Sequence, residues 1–208
     1  MKTLKITKKD LDSNNKYIGK EVLHDWANPF DGHIEIESGL EYVKFDKSIV
    51  VTGSIVALAG SGIKAGEGIK AGSGIKAGWG IKAGWGIEAG EGIEAGSGIE
   101  AGKGIKAGWG IKAGEGIEAG WGIEAGWGIV CKLGLSFSYK LFAGTAAWTN
   151  NANKTVTCGK LEKGTIAYGD LIETGLPEEV KRETITIAGN VYDKEEFETA
   201  VKDLKVLS

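Results

Sequence analysis

AGWGIKAGWGIEAGEGIEAG, running from Ala77 to Gly96, places an Ile every six residues and an Ala two positions after each Ile. Between its paired glycines lies a seat that switches between Trp and Glu. The rhythm extends to both sides. Ile recurs at six-residue steps from Ile63 to Ile129, and Ala follows it from Ala65 to Ala125, with Cys131 in the next Ala seat. Residues two apart on an extended strand face the same way, so Ile and Ala share one face and the intervening Lys or Glu takes the other. The Gly-x-Gly that follows permits a bend that a Cβ would obstruct. Each hexad therefore reads as a short strand and a corner.

A helix conflicts with this pattern, because its face repeats every 3.6 residues and paired glycines cost about 1 kcal/mol apiece relative to Ala. A flexible glycine-rich linker has no use for evenly spaced Ile. Collagen needs Gly at every third place with abundant Pro, and the chain of 208 residues has 35 Gly but only two Pro. Stacked hexads, by contrast, bury the Ile in continuous ladders, each worth roughly 1.5–3 kcal/mol when fully covered. The expected fold is mainly β: a single-stranded parallel β-helix, or solenoid, of hexapeptide repeats.

The outward charges bear on coil size. At eighteen residues per turn, Lys70, Glu88, Lys106 and Glu124 stack in alternating sign, as do Lys76, Glu94 and Lys112. Stacked neighbours interact as cross-strand pairs do. The third column, Lys64, Lys82, Glu100 and Glu118, is less tidy. Three hexads per coil are favoured, and a narrower twelve-residue coil stays open.

The tract resembles the hexapeptide-repeat family in its regular bulky aliphatic residue and its small or acidic neighbours, as in Gly86-Ile87-Glu88-Ala89. The resemblance covers roughly residues 53–147. It implies a left-handed parallel β-helix with three hexads per triangular coil. That family normally has a small residue two places before the aliphatic one, where this chain carries Trp79, Trp85, Glu91 or Lys103. Its acyltransferases use a His within the coils as catalytic base. The repeat here contains no His, so no catalytic residue of the family can be carried over.

Four regions are expected. Residues 1–52 form an N-terminal β cap or opening coils, needed because an uncovered end exposes strand edges. The solenoid proper covers 53–147, with a two-residue slip at Leu58-Ala59. The beat outlasts the glycines: Leu135 and Leu141 keep the Ile column, while Phe137 and Ala143 keep the Ala column. Phe137 points to a differently packed final coil. Terminal β coils follow over 148–176. Residues 177–208 form a strand-turn-helix cap or appendage, with Thr184 to Ile187 as the strand and Asp193 and Glu196 as a capping box.

The variable seat, six residues apart from Ser61 to Trp127, accepts Ser, Glu, Lys and Trp. A buried column would not take Glu91, Lys103 and Trp109 in equivalent places without stranding charge, so this seat should face solvent. Grouped exposed aromatics mark contact sites; alternatively, the rings lie flat and shield the glycine corners. The candidate binding residues are Trp79, Trp85, Trp109, Trp121 and Trp127, with Glu91, Lys103 and Glu115 supplying local charge. An eighteen-residue coil puts Trp85, Lys103 and Trp121 in one corner column, Trp109 and Trp127 in another, and Trp79 in the third.

Several classes find no support. A net charge of -3 gives no basic footprint for nucleic acid, although RNA could stack on Trp in principle. The N-terminus lacks an apolar signal segment and no apolar run reaches membrane-spanning length, so a cytoplasmic location is expected. The sheet faces carry Lys and Glu rather than an ice-binding threonine array. His24 and His33 are the two histidines, and adjacency of His24 to Asp25 does not by itself orient a base. No catalytic residue, metal or cofactor is assigned. Cys131, in an Ala seat, reads as a small buried hydrophobe, and its pairing with Cys158 is left open.

The expected function is a non-catalytic protein-binding module, of the kind an inhibitor from a phage or another mobile element would be. A structural spacer or assembly part, a hexapeptide-repeat acyltransferase and a carbohydrate-binding solenoid are the alternatives. The partner is expected to be a protein. Self-association through a solenoid face or terminus is also compatible with the pattern.

Overall fold

The computed structural model describes residues 1–21, 23–146 and 152–176, with the backbone of two later strands, Thr184–Ile187 and Asn190–Asp193. The chain forms two compact units, Met1–Leu176 and Pro177–Ser208.

The first unit is a parallel β-solenoid. Each Ile-x-Ala triplet is a strand, and it pairs in parallel with the strand three hexads further on. Ile69 lies opposite Ile87, Ile75 opposite Ile93, and Ile81 opposite Ile99. These registers fix an eighteen-residue coil through the repeat and dispose of the twelve-residue alternative.

Three faces result. The first runs from Lys2–Ile6 and Gly32–Ile36 through Ile55–Ala57, Ile75–Ala77, Ile93–Ala95, Ile111–Ala113 and Ile129–Cys131 to Thr155–Cys158 and Asp170–Glu173. The second face starts at Glu41–Phe45 and includes Ser61–Ala65, Ile81–Ala83, Ile99–Ala101 and Ile117–Ala119. The third starts at Ile49–Val51 and includes Ile69–Ala71, Ile87–Ala89, Ile105–Ala107 and Ile123–Ala125. One long strand, Gly134–Ala143, crosses from the second face to the third: Leu135 pairs with Ile117 and Leu141 with Ile123. Coil structure thus begins at the extreme N-terminal strand, ahead of the glycine-rich tract.

Packing follows the side-chain alternation. Every Ile of the column from Ile63 to Ile129 is at most 1 % exposed, and every Ala from Ala65 to Ala125 at most 6 %. The Lys and Glu between them face outwards and pair along the columns. Lys70 meets Glu88 at 3.3 Å, Lys76 meets Glu94 at 3.3 Å, and Lys106 meets Glu124 at 3.3 Å. Lys82 and Glu100 close to 2.7 Å, a hydrogen bond that holds the Lys82 ammonium above its usual range. Such exposed pairs contribute at most about 1 kcal/mol each. The untidy column shows its cost in register: Lys64 lies beside Lys82, and Glu100 beside Glu118.

Corners stack as closely as strands do. The Glu91 amide donates to the Ser73 carbonyl at 3.2 Å, Trp109 to Glu91 at 3.1 Å, and Trp127 to Trp109 at 3.3 Å. Backbone groups at the bends are therefore satisfied by the neighbouring coil rather than left to solvent.

The beat breaks at both ends of the repeat for visible reasons. The two extra residues at Leu58-Ala59 widen one corner, where Gly60 adopts φ +74 above Gly39 at φ +75 in the preceding coil. At this corner the variable seat turns inwards, contrary to the outward placement expected for it. Ser61 is fully buried, its hydroxyl donating to the Glu37 carbonyl at 2.6 Å and accepting the Leu40 amide at 2.9 Å. At the other end, Phe137 fits in an Ala seat because Gly164 of the following coil lies over its ring, where a Cβ would collide. The strand Lys160–Tyr168 that carries Gly164 is bulged against Gly134–Ala143.

Cys131 and Cys158 lie on adjacent strands of the first face, both buried and both free thiols. Burial, reinforced by the nearby Cys158, pushes the Cys131 thiol up to about 12. Burial likewise raises Cys158. At pH 8 hardly any Cys131 is thiolate, which is the nucleophilic form. A maleimide should therefore label it slowly in native protein and quickly in denaturant, with Cys131→Ala folding as the parent does. Rapid native labelling would place the thiol outside the core.

In the second unit the two strands pair antiparallel, Thr184 opposite Asp193 and Ile187 opposite Asn190. Asp193 closes the second of them. The helix expected beyond it, with Glu196 in its capping box, lies outside the described residues.

Candidate binding surface

The five repeat tryptophans are exposed, from 39 % at Trp79 to 64 % at Trp121. They fall on all three corners. Trp79 stands between the first and second faces in a column with Ser97 and Glu115, linked by corner hydrogen bonds. It packs edge-on against Tyr42, ring centres 5.9 Å apart. This ring therefore has a local partner. Trp109 and Trp127 stack at the corner between the third and first faces, above Glu91.

The remaining corner, between the second and third faces, gathers the most. Amide-to-carbonyl links run from Trp85 to Glu67, Lys103 to Trp85, Trp121 to Lys103 and Tyr139 to Trp121. The Lys103 ammonium lies between two rings, 4.9 Å from the centre of Trp85 and 5.7 Å from that of Trp121. Exposed cation–π contacts contribute about 0.5–1 kcal/mol each. Here they also fix the lysine and hold the two rings apart.

Beside this column runs an open groove of about 450 Å³. Trp26, Trp85 and Tyr139 stand along it, Gly86, Gly104 and Gly122 line it without side chains, and Phe142 adds an apolar patch. Trp26 arrives from the irregular segment before the second strand of the first face. Its indole N–H donates to Ser48 at 3.1 Å, and Ser48 donates to Glu67 at 3.0 Å, which clamps the ring over the Gly68 corner. The row of Glu88, Lys106 and Glu124 borders the other side.

The eight residues singled out by the sequence thus do not form one site. Trp85, Lys103 and Trp121 come together. Glu91 lines a shallow hollow on the first face, and Glu115 another on the second. Trp26, Tyr139 and Phe142 were missed. Tyr139 had a signal, since it occupies the variable seat two beats after Trp127; Trp26 had none, because its place depends on how the opening segment folds back.

His33 and Asp25 have structural surroundings. Nδ1 of His33 accepts the Ser54 amide at 3.0 Å and lies 2.8 Å from the Ser54 hydroxyl. Asp25, beside His24, accepts from Asn28 and Ala27 within its own turn, and these hydrogen bonds, led by the Asn28 side chain, lower its pKa. Among the described residues, no three His, Cys, Asp or Glu side chains come close enough to share a metal ion. None of the described helices is long and apolar enough to cross a membrane.

Comparison of the chain with protein-family models, curated proteins and solved structures found no match.

Proposed function

We propose that this chain is a non-catalytic protein-binding module, a solenoid akin to the hexapeptide-repeat family, whose partner contacts the corner of Trp85, Lys103 and Trp121. One observation carries the reading: a lysine held between two half-exposed tryptophans beside an apolar groove. Large rigid aromatics with a fixed cation are the side chains that dominate protein interfaces. A stack of short parallel strands presents them without loops to order, so little conformational entropy is lost on binding. An inhibitor, such as one carried by a phage or another mobile element, would act by covering its target with this corner.

A purified, tagged protein should capture a partner from cell lysate, and the double variant Trp85→Ser/Trp121→Ser should lose it while keeping the parent circular dichroism spectrum. Removing two such anchors would cost roughly 2 kcal/mol or more of binding, at least a thirtyfold weakening. A spacer or assembly role predicts instead that this variant changes solubility or stability with no specific affinity lost. Equal capture by the folded variant would rule out this corner as the contact surface.

A further inference from the structure

We infer that the groove beside Trp85, Lys103 and Trp121 takes an extended, acidic segment of a partner protein, with apolar side chains laid over the glycine floor and carboxylates directed at Lys103 and Lys140. This rests on the protein-binding reading above and specifies the chemistry of the partner.

Charge is the first argument. Of the cations bordering the groove, Lys106 is paired with Glu124 at 3.3 Å, and Lys70 near Trp26 is paired with Glu88 at 3.3 Å. These pairs also neutralise the two carboxylates of the far rim. Among the described residues, neither Lys103 nor Lys140 has a carboxylate within ion-pair distance; both sit over aromatic rings, Lys140 at 5.7 Å from the centre of Tyr139. A ring face attracts an ammonium but leaves its N–H donors free for an anion. The groove therefore offers two uncompensated positive charges, each braced against an aromatic wall.

Shape is the second. Four corner-to-corner hydrogen-bond links separate Glu67 from Tyr139, a distance of about 19 Å at the spacing of neighbouring strands and the reach of about six extended residues. The floor of Gly86, Gly104 and Gly122 lets a second backbone or a flat ring approach closely. In an extended chain, side chains alternate between two faces, so one set can cover the floor while the other reaches the lysines. The third-face strands along the groove, from Ile69–Ala71 to Gly134–Ala143, are already paired on both sides, so recognition here is through side chains and not by strand addition. Nucleic acid, duplex or single strand, would meet only two free cations here.

The test uses a dye-labelled, end-blocked peptide of six residues alternating Glu and Phe, with its Lys–Phe counterpart and a single-stranded oligothymidylate, followed by fluorescence anisotropy with the full chain. The Glu–Phe peptide should bind saturably, and more weakly as salt rises. Lys103→Gln/Lys140→Gln should weaken it at least tenfold, as should Trp85→Ser/Trp121→Ser, whereas Lys132→Gln on another corner should not. Absence of saturable binding, or equal binding of the Lys–Phe peptide, overturns the inference. Tighter binding of oligothymidylate through the same lysines overturns it in favour of nucleic acid. If lysate capture is lost in the tryptophan variant but unchanged in Lys103→Gln/Lys140→Gln, the protein-binding reading stands and the acidic segment is wrong.

Discussion

Ile93→Asp should disrupt the solenoid at its middle and cost several kcal/mol of stability. Ile93 is 1 % exposed, and its ladder neighbours in the coils below and above are Ile75 and Ile111. Truncating a buried Ile already costs about 2–5 kcal/mol. The new carboxyl adds an unpaired charge among Ile and Ala, which no cation of the core can offset. Its pH dependence has a defined sign. Burial raises the folded-state pKa of that carboxyl above the unfolded value of about 3.9, so the charge penalty is full above the raised pKa. The penalty shrinks as pH falls through the folded pKa, and below the unfolded value only the packing loss remains. Glu94→Gln, next along the chain but outward-facing, removes exposed ion pairs to Lys76 and Lys112 and should change stability by less than about 1 kcal/mol. Because a solenoid is held by nearest-neighbour coils, amide protection in Ile93→Asp should fall first at Ile75–Ala77, Ile93–Ala95 and Ile111–Ala113. A parental denaturation midpoint and unchanged protection would mean that this column is not the core.

Much of the architecture was legible because one physical constraint acts on every hexad alike. Ile, a charged residue and Ala in sequence are sorted by an extended strand with one buried face, and the glycines after them permit a bend. Coil size was only favoured by charge, since Lys70 and Glu88, or Lys76 and Glu94, are eighteen apart and do pair; the strand register decides it. What escaped depends on long-range placement. The inward turn of Ser61 follows from a corner widened in two successive coils at Gly39 and Gly60, and only the stack shows that both are widened together. Phe137 signalled a change of packing, but the space it fills is made by Gly164, 27 residues later. The candidate site was half visible. The column of Trp85, Lys103 and Trp121 is arithmetic once the coil length is known, while the ring of Trp26 reaches the groove through Ser48 and Glu67, a contact with no periodic signature.

The two glycines of one corner should respond unequally to alanine, and the inequality probes how tightly the coils stack. Gly90 follows the Ala of its strand, and a Cβ there would overlap the Gly72 carbonyl oxygen of the coil below. Gly92, two residues on, would place its Cβ 3.3 Å from the Gly110 carbonyl oxygen of the coil above. The first clash is with backbone held by the hydrogen bond from the Gly90 amide to Ala71 at 3.0 Å, so relief requires the two corners to separate. Overpacking of this kind costs about 1–3 kcal/mol, occasionally more, and Gly90→Ala should lie at the upper end. The second contact needs a shift of only a few tenths of an ångström. Gly92→Ala also restricts the unfolded chain, which favours folding by about 0.4–1 kcal/mol where the native backbone suits alanine. Its net effect should therefore be near neutral. The same relation recurs around the stack: Gly84, Gly96 and Gly108 each face the carbonyl of Gly66, Gly78 and Gly90 in turn, while Gly86, Gly98 and Gly104 have the looser contact. Urea denaturation of both variants, scored by midpoint, gives the answer directly. Equal midpoints would mean that the corners do not stack at this distance, and that the glycines are there for the bend alone.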